Sequence, residues 1–330
     1  MATWARRCSW VRCCPEPVED APLFDDLAEG PPGGRALWLR SEDKVRLRLV
    51  HWPGGDAGTV LLLPGRTEWA EKYGPVAAFL AARGLHVLTP DWRGQGLSDR
   101  LVADARVGHV GGFRDYQADM DAICAAARRL GTPAPLFVLA HSMGGAIALR
   151  WLIDGGRAAA AAFSAPMWGI VLPRGRGPLA RVLSLGARLA RADGRYVPGT
   201  GPATLLLDAP FEDNPLTGDP AQFARMAAHL RARPELALGG PSLRWLGEAL
   251  AETRALARLP SPPVPALTGL GGRESIVTPA AIEARMARWP GGRLDRFDDA
   301  GHELMMERAA LRERFLEAAA AHFHKAGRAG

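Results

Sequence analysis

The sequence predicts an α/β fold, a mostly parallel central sheet with helices on both faces and one helical insertion. Three observations lead there. Short apolar runs alternate with amphipathic helical stretches along most of the chain, as successive βα units require. Several of these runs are apolar throughout, the pattern of strands covered on both faces. The alternation is interrupted once, over about ninety residues of Pro- and Gly-punctuated helical pattern, and then resumes.

Taken in order, ALWLR (36–40) and KVRLRLVHW (44–52) alternate apolar and polar residues and predict an antiparallel strand pair. TVLLLPG (59–65) is a continuous apolar run closed by Pro-Gly, a buried strand. A helix from Pro75 to Ala82 and a strand HVLTPD (86–91) follow. FRDYQADMDAICAAARRL (113–130) has helical periodicity and ends at Gly131. LFVLA (136–140) is a further strand, GGAIALRWLI (144–153) its following helix, and AAAAAFSAP (158–166) contains another strand. After PSPPVP (260–265) come the strand ALTGLG (266–271), a helix from Ala280 to Met286, the strand RLDRF (293–297) and a final helix from Ala309 to His324. The domain reading is a core of 35–166 and 260–330, an inserted helical cap at 167–259, and an N-terminal extension of 1–34 outside the core.

Composition narrows the function classes. The chain has 330 residues, 48% hydrophobic and 23% charged, ordinary for a globular protein and enough for one large core with an inserted subdomain. No apolar run reaches membrane-spanning length, and the basic N-terminus lacks the apolar stretch of a signal peptide. The net charge of +6 rests almost wholly on arginine, the lysines being Lys44, Lys72 and Lys325. These cations are scattered among acids and alanines, so no nucleic-acid partner is expected. Peripheral contact with anionic membrane surfaces remains compatible with the charge. Cys8, Cys13 and Cys14 crowd the extension and Cys124 stands alone. That is neither a zinc pattern nor a disulfide framework, and it implies a reduced, cytoplasmic chain.

The chemistry is concentrated in LFVLAHSMGGAIALRWL (136–152), where a buried strand runs through Ala-His-Ser-Met-Gly directly into a helix. Such a turn requires small residues two before and two after the serine, here Ala140 and Gly144, and holds Ser142 at a helix N-terminus. The alternative is that Ser142 merely caps the helix. A serine nucleophile needs a base. Of eight histidines, His302 lies in DDAGHELMME (298–307), after the last predicted strand and before the last helix, where this architecture puts the base. His141 adjoins the serine, but its side chain is expected to point elsewhere. The acid should follow the strand ALTGLG, and Glu274 is the carboxylate in GGRESIVTP (271–279). Asp295, Asp298 and Asp299 are too near His302 in sequence. Glu303 is expected to orient the loop. Two backbone donors must face the oxyanion: the Met143 N–H and, from PGRTEWAEKYG (64–74), the Arg66 N–H.

Together LLLPGRTEWAEKYGPVA (61–77), DWRGQGLSD (91–99), AHSMGG (140–145), GRESIV (272–277) and AGHELMMER (300–308) resemble the lysophospholipase and monoacylglycerol-lipase branch of the α/β-hydrolases, the serine aminopeptidase-like hydrolases. The form with Arg66, Glu68, Glu71 and Lys72 is most similar to bacterial lysophospholipase L2-like members. The chain departs from the family at Pro64, where many members have histidine, at Ala140 in place of glycine, and at Glu274 in place of aspartate. The resemblance implies an α/β-hydrolase fold with a helical cap and a Ser142–His302–Glu274 triad. It implies no metal or organic cofactor, and an amphiphilic ester as the small-molecule substrate. It also implies that DWRGQGLSD is a structural turn beneath the site. Met167, Trp168, Phe211, Trp245 and Leu246 are candidates for the acyl pocket or, individually, for the cap's own core. The same triad would serve a short-chain esterase, an acyltransferase or an aminopeptidase, the last with Glu212, Asp213 or Asp219 holding an amine. A non-catalytic binding protein is the alternative from another class.

Overall fold

The computed structural model describes residues 19–172 and 176–328, backbone only over 176–181. Nine strands form one sheet: β1 Glu19–Ala21, β2 Arg35–Arg40, β3 Arg46–Trp52, β4 Gly58–Leu63, β5 Leu85–Asp91, β6 Leu136–His141, β7 Ala160–Ser164, β8 Ala266–Gly271 and β9 Arg293–Phe297, in the order β1-β2-β3-β5-β4-β6-β7-β8-β9. The first three pair antiparallel, and β4 through β9 are mutually parallel. The α/β class expected from the alternation is thus the one observed.

Period-two geometry explains why the central strands are apolar throughout. Leu61 and Leu63 of β4, with Val138 and Ala140 of β6, join a core with the helices Asp115–Leu130, Met143–Ile153 and Leu243–Arg258. Their neighbours Val60, Leu62, Phe137 and Leu139 face the opposite core, with the helices Gly74–Ala81 and Ala309–Gly327. Every residue of β4 is buried.

From β4 the chain crosses to β5 on one side and then to β6 on the other, so the strand order reverses beside β4. Ligand crevices in open parallel sheets form at such a reversal, beyond the carboxyl ends of the strands. Here the β4–β6 register pairs Leu63 with Ala140, which sets the loop after β4 next to the turn after β6.

Between β7 and β8 the described residues form helices at Arg176–Leu189, Leu205–Asp208, Pro220–Ala232 and Leu243–Arg258 and no strand of the sheet. Asp219 accepts from the Ala221 and Gln222 N–H groups to cap the third, and Ser242 accepts from Trp245 N–H to cap the fourth.

Residues 1–34 are not uniformly an extension. The segment from Glu19 joins the sheet, β1 pairing with β2. Phe24 N–H donates to Glu71 Oε1 at 3.2 Å, Ala28 is buried, and a side chain at Gly30 would collide with Trp52. The sequence missed this because three strand residues and one helical turn are too short to carry a period. Cys8, Cys13 and Cys14 lie outside the described residues, and Cys124 is a free thiol.

Candidate functional site

Ser142 directly follows β6 in a conformation few side chains tolerate, with φ 47° and ψ −116°. Its carbonyl is tied down by N–H donors from Gly145 at 2.9 Å and Met167 at 2.8 Å, and its own N–H donates to Ser164 O at 3.1 Å. Such strain persists only where surrounding structure enforces it. Gly144 is obligatory for the turn, since a Cβ there would stand 2.2 Å from Leu63 O. The serine side chain makes no capping bond to the helix, so the helix-cap alternative does not describe it. Its hydroxyl instead lies 2.9 Å from His302 Nε2.

His302 follows β9, and Glu274 follows β8. His302 Nδ1 and Glu274 Oε2 are 2.6 Å apart, with both side chains almost fully buried. The other carboxylate oxygen accepts from the Ile276 and Val277 N–H groups at 2.6 and 3.0 Å. Burial alone would raise the Glu274 pKa, but the bond to His302 and the two backbone donors outweigh it and hold the carboxyl below its ordinary value. An ionised acceptor fixes the histidine tautomer: Nδ1–H donates to Glu274, leaving Nε2 to accept from the serine. Serine, histidine and glutamate, named from separate parts of the sequence, therefore form one hydrogen-bonded chain.

The Met143 and Arg66 N–H groups, expected as oxyanion donors, have no protein acceptor among the described residues. The loop bearing Arg66 is clamped from beneath. Trp92 Nε1–H donates to Pro64 O at 2.8 Å and Gln95 Nε2–H to Gly65 O at 2.8 Å. Both donors come from DWRGQGLSD, whose Asp91 accepts from Ala70 N–H, Leu97 N–H and Arg48 Nε–H at 2.9, 2.7 and 2.7 Å. Gly96, at φ 56°, approaches so near that any Cβ would overlap the Asp91 carboxylate. The turn is structural, in the position the motif implied.

A network beside the site escaped the sequence reading. Lys72 Nζ lies 2.6 Å from Glu68 Oε1 and 2.6 Å from Glu303 Oε2, all three buried. Glu68 Oε2 also accepts from Tyr73 O–H at 2.6 Å and from the Gly65 N–H. Lys72 therefore joins the loop after β4 to the loop of His302. The two carboxylates hold the Lys72 pKa above its usual value against the opposing effect of burial. Glu68, His141 and Glu303 offer ligand atoms within 4.8 Å of one another, but the Lys72 ammonium already supplies the cation between the carboxylates. The spacing Glu68–Lys72 was the available signal; the third partner required the fold.

His141 departs from expectation. Its ring lies 4.8 Å from that of His302 and borders the same cavity. Nδ1 is 3.0 Å from Ser164 O. Burial pushes its pKa down to about 3, so the ring is neutral and Nδ1–H donates to that carbonyl.

The cavity at Ser142 and His302 has a volume of about 570 Å³ and an apolar wall of Leu205, Leu206, Leu216, Leu230, Leu238 and Ile276. Of the proposed acyl-pocket residues none is on this wall. Met167, Trp168, Trp245 and Leu246 are buried in the core, and Phe211 packs against Phe223. Glu212, Asp213 and Asp219 do not border it either. Segment 167–259 also braces the base, because Pro215 O and Leu216 O accept from the His302 and Glu303 N–H groups at 3.2 and 2.8 Å.

The family model of serine aminopeptidase S33 matches residues 55–309. The chain belongs to this family. Lysophospholipase L2 of Escherichia coli strain K12 is 34% identical over 290 residues, 85% of this chain and 83% of the relative. A probable lysophospholipase L2 of Haemophilus influenzae is 31% identical over 261 residues, 78% and 81% of the two chains. Among solved structures, a soluble variant of monoglyceride lipase from Saccharomyces cerevisiae, in complex with a substrate analog, matches with TM-score 0.67 and 20% identity over 87% of this chain and 94% of that one. Monoacylglycerol lipase of Paleococcus ferrophilus gives TM-score 0.63 and 18% identity over 84% and 99%. These structures carry the α/β-hydrolase fold. With the family comes the class: the chain is a carboxylic ester hydrolase of the lysophospholipase and lipase type.

Proposed function

We propose that the protein hydrolyses monoacyl esters of amphiphilic alcohols, lysophospholipids or monoacylglycerols. In this reading Ser142 Oγ attacks the acyl carbonyl while His302 Nε2 takes its proton, and Glu274 stabilises the imidazolium. The Met143 and Arg66 N–H groups receive the oxyanion. Collapse of the tetrahedral intermediate passes the proton from His302 to the leaving alcohol oxygen. Water, deprotonated by His302, then cleaves the acyl-enzyme and returns the serine.

One observation carries the reading: the Ser142–His302–Glu274 hydrogen-bond chain opens onto a cavity walled by aliphatic side chains. An acyl chain would lie along that wall, with residues 167–259 acting as the cap over the core of 35–166 and 260–330. The names of the lysophospholipase L2 relatives point the same way. For an aminopeptidase the cavity lacks a free acid among the described residues, because Glu68 and Glu303 are both committed to Lys72. We place the enzyme in the cytoplasm, at membrane surfaces. Val182, Leu185 and Leu189 are exposed along one face of the helix Arg176–Leu189, beside exposed Arg188 and Arg191.

Hydrolysis of p-nitrophenyl esters from short to long acyl chains, then of a lysophospholipid and a monoacylglycerol, tests the reading against Ser142→Ala. Turnover of the long-chain and natural esters that vanishes in the folded variant supports it. Turnover that survives Ser142→Ala rejects the mechanism, and activity confined to short esters reduces the enzyme to a general carboxylesterase.

A further inference from the structure

Arg66 is half-buried, and its pairing differs from that of the fully buried arginines. Arg48 pairs with Glu71 and Asp91, Arg93 with Asp43 and Asp119, and Arg150 with Asp154 and Glu252. Arg285 is enclosed by the carbonyls of Leu256 and Leu259. The Arg66 guanidinium has one protein acceptor among the described residues, Gly239 O at 3.0 Å, and no carboxylate within ion-pair distance. It rests on the Trp245 ring, 5.4 Å from the centroid, and against Gly108, where a Cβ would stand 2.7 Å from Nη1. Arg66 and Gly239 border the same cavity as Ser142 and His302.

A cation partly kept from water without a counter-ion is costly, and this desolvation draws its pKa down to about 10. It is still charged at neutral pH. The other cation on this cavity among the described residues, Lys72, is held between two carboxylates that already neutralise it. Of the described arginine and lysine side chains bordering the cavity, Arg66 is therefore the one whose charge is uncompensated.

We propose that the Arg66 guanidinium is the subsite for the phosphate of a lysophospholipid, and that it makes the enzyme select phosphate-bearing monoacyl esters over neutral ones. The inference rests on the ester-hydrolase reading above and deepens it. The backbone N–H of this same residue is the proposed oxyanion donor, so its guanidinium sits one side-chain length from the reacting carbonyl. In a monoacyl glycerophosphate the phosphate sits one glycerol unit from that carbonyl, a comparable reach. The planar donor fork of arginine suits two phosphate oxygens. A neutral monoacylglycerol filling the cavity would cover this half-buried cation and leave it unpaired, which discriminates against it.

The test is the ratio of kcat/KM for a lysophosphatidic acid to that for the monoacylglycerol with the same acyl chain, both below their aggregation concentrations. In the ratio any general damage to the oxyanion loop cancels. Arg66→Met is expected to lower it about 10- to 100-fold, the worth of one charged hydrogen-bond pair, chiefly through KM for the phosphate ester. Arg66→Gln retains a donor for Gly239 and lacks the charge, and it reads the same ratio if the methionine variant does not fold. Inorganic phosphate should inhibit monoacylglycerol hydrolysis competitively in the wild type and much less in either variant.

An unchanged ratio, with both substrates falling together, overturns the proposal and leaves Arg66 as a tie between the loop after β4 and Gly239. Inhibition by inorganic phosphate with an unchanged ratio makes the site one for free phosphate and also overturns substrate selection. Wild-type protein that turns over neither ester rejects the ester-hydrolase reading itself, a result distinct from both.

Discussion

Glutamate at position 274, where the family usually has aspartate, is accommodated by dividing its two oxygens. Oε2 faces His302 Nδ1, and Oε1 takes the Ile276 and Val277 N–H groups. All three partners are donors, so the site fits a carboxylate and no amide. In Glu274→Gln an NH₂ must face either the imidazole or the backbone donors. The first choice forces the wrong histidine tautomer, the second leaves two N–H groups unsatisfied. Turnover of a p-nitrophenyl ester at neutral pH should fall by about 10⁴-fold, the scale seen when the orienting acid of a serine triad becomes an amide. A loss of about threefold or less in folded protein would mean that Glu274 does not orient His302. The residue was found in the sequence as the carboxylate of its loop; its partners on Oε1 were not, because backbone donors leave no mark on composition.

Between elements, Lys72 is the joint. It belongs to the short helical turn Ala70–Tyr73 yet connects the loop after β4, through Glu68, to the loop after β9, through Glu303. Removing the ammonium leaves two carboxylates buried beside each other. Lys72→Met should therefore cost about 3–5 kcal/mol in urea unfolding. A triple variant, Glu68→Gln with Lys72→Met and Glu303→Gln, should recover much of that loss, because no unpaired charge remains. Equal instability in the single and triple variants would show that packing, not charge, is what Lys72 supplies. At this scale the sequence located strands well: β4, β6 and β8 are apolar runs bounded by turn residues, and their ends shift by a residue or two. The short β1 and the joint itself were illegible, the one for want of length, the other because its third partner is 231 residues away from Lys72 in the chain.

For the whole molecule, two properties follow from what is buried and what is left exposed. Trp69 Nε1–H donates to His229 Nδ1 at 3.1 Å, tying the loop after β4 to the helix Pro220–Ala232. Burial, with Arg225 nearby, lowers the His229 pKa from 6.5 to about 4, so the folded state holds the ring neutral. The unfolded chain takes up a proton at the ordinary value. Stability from this site is thus full above pH 6.5 and is lost as pH falls from there towards about 4, by about 3 kcal/mol at most. In His229→Asn the amide oxygen accepts the same bond at every pH. Urea midpoints at about pH 7.5 and about pH 5 should diverge more in the wild type than in this variant; parallel curves would place the titration elsewhere. On the exposed side, replacing Val182, Leu185 and Leu189 together by serine should weaken co-sedimentation with anionic vesicles by about tenfold and leave p-nitrophenyl ester hydrolysis in solution intact. Vesicle binding equal to that of the wild type would remove this face from any membrane contact. Among the described residues no helix is long and apolar enough to cross a membrane.

The sequence by itself determined the layering of the fold, the stretch without strands among the described residues between β7 and β8, and the segments from which the hydrogen-bonded serine, histidine and glutamate come. Each of these is written locally: in the period of apolar residues, in the small residues around Ser142, and in the place of a loop after its strand. What only the tertiary structure decided depends on contacts between distant segments. The strand order brings Leu63 beside Ala140, and so brings Arg66 beside Ser142. Lys72 is matched with Glu303, His141 faces the cavity rather than away from it, and among the described residues Arg66 is left with a carbonyl and no acid. The wall of the cavity falls to Leu206, Leu216 and Leu238 while Trp168 and Trp245 go to the core, since apolar periodicity records that a side chain is covered and not what covers it.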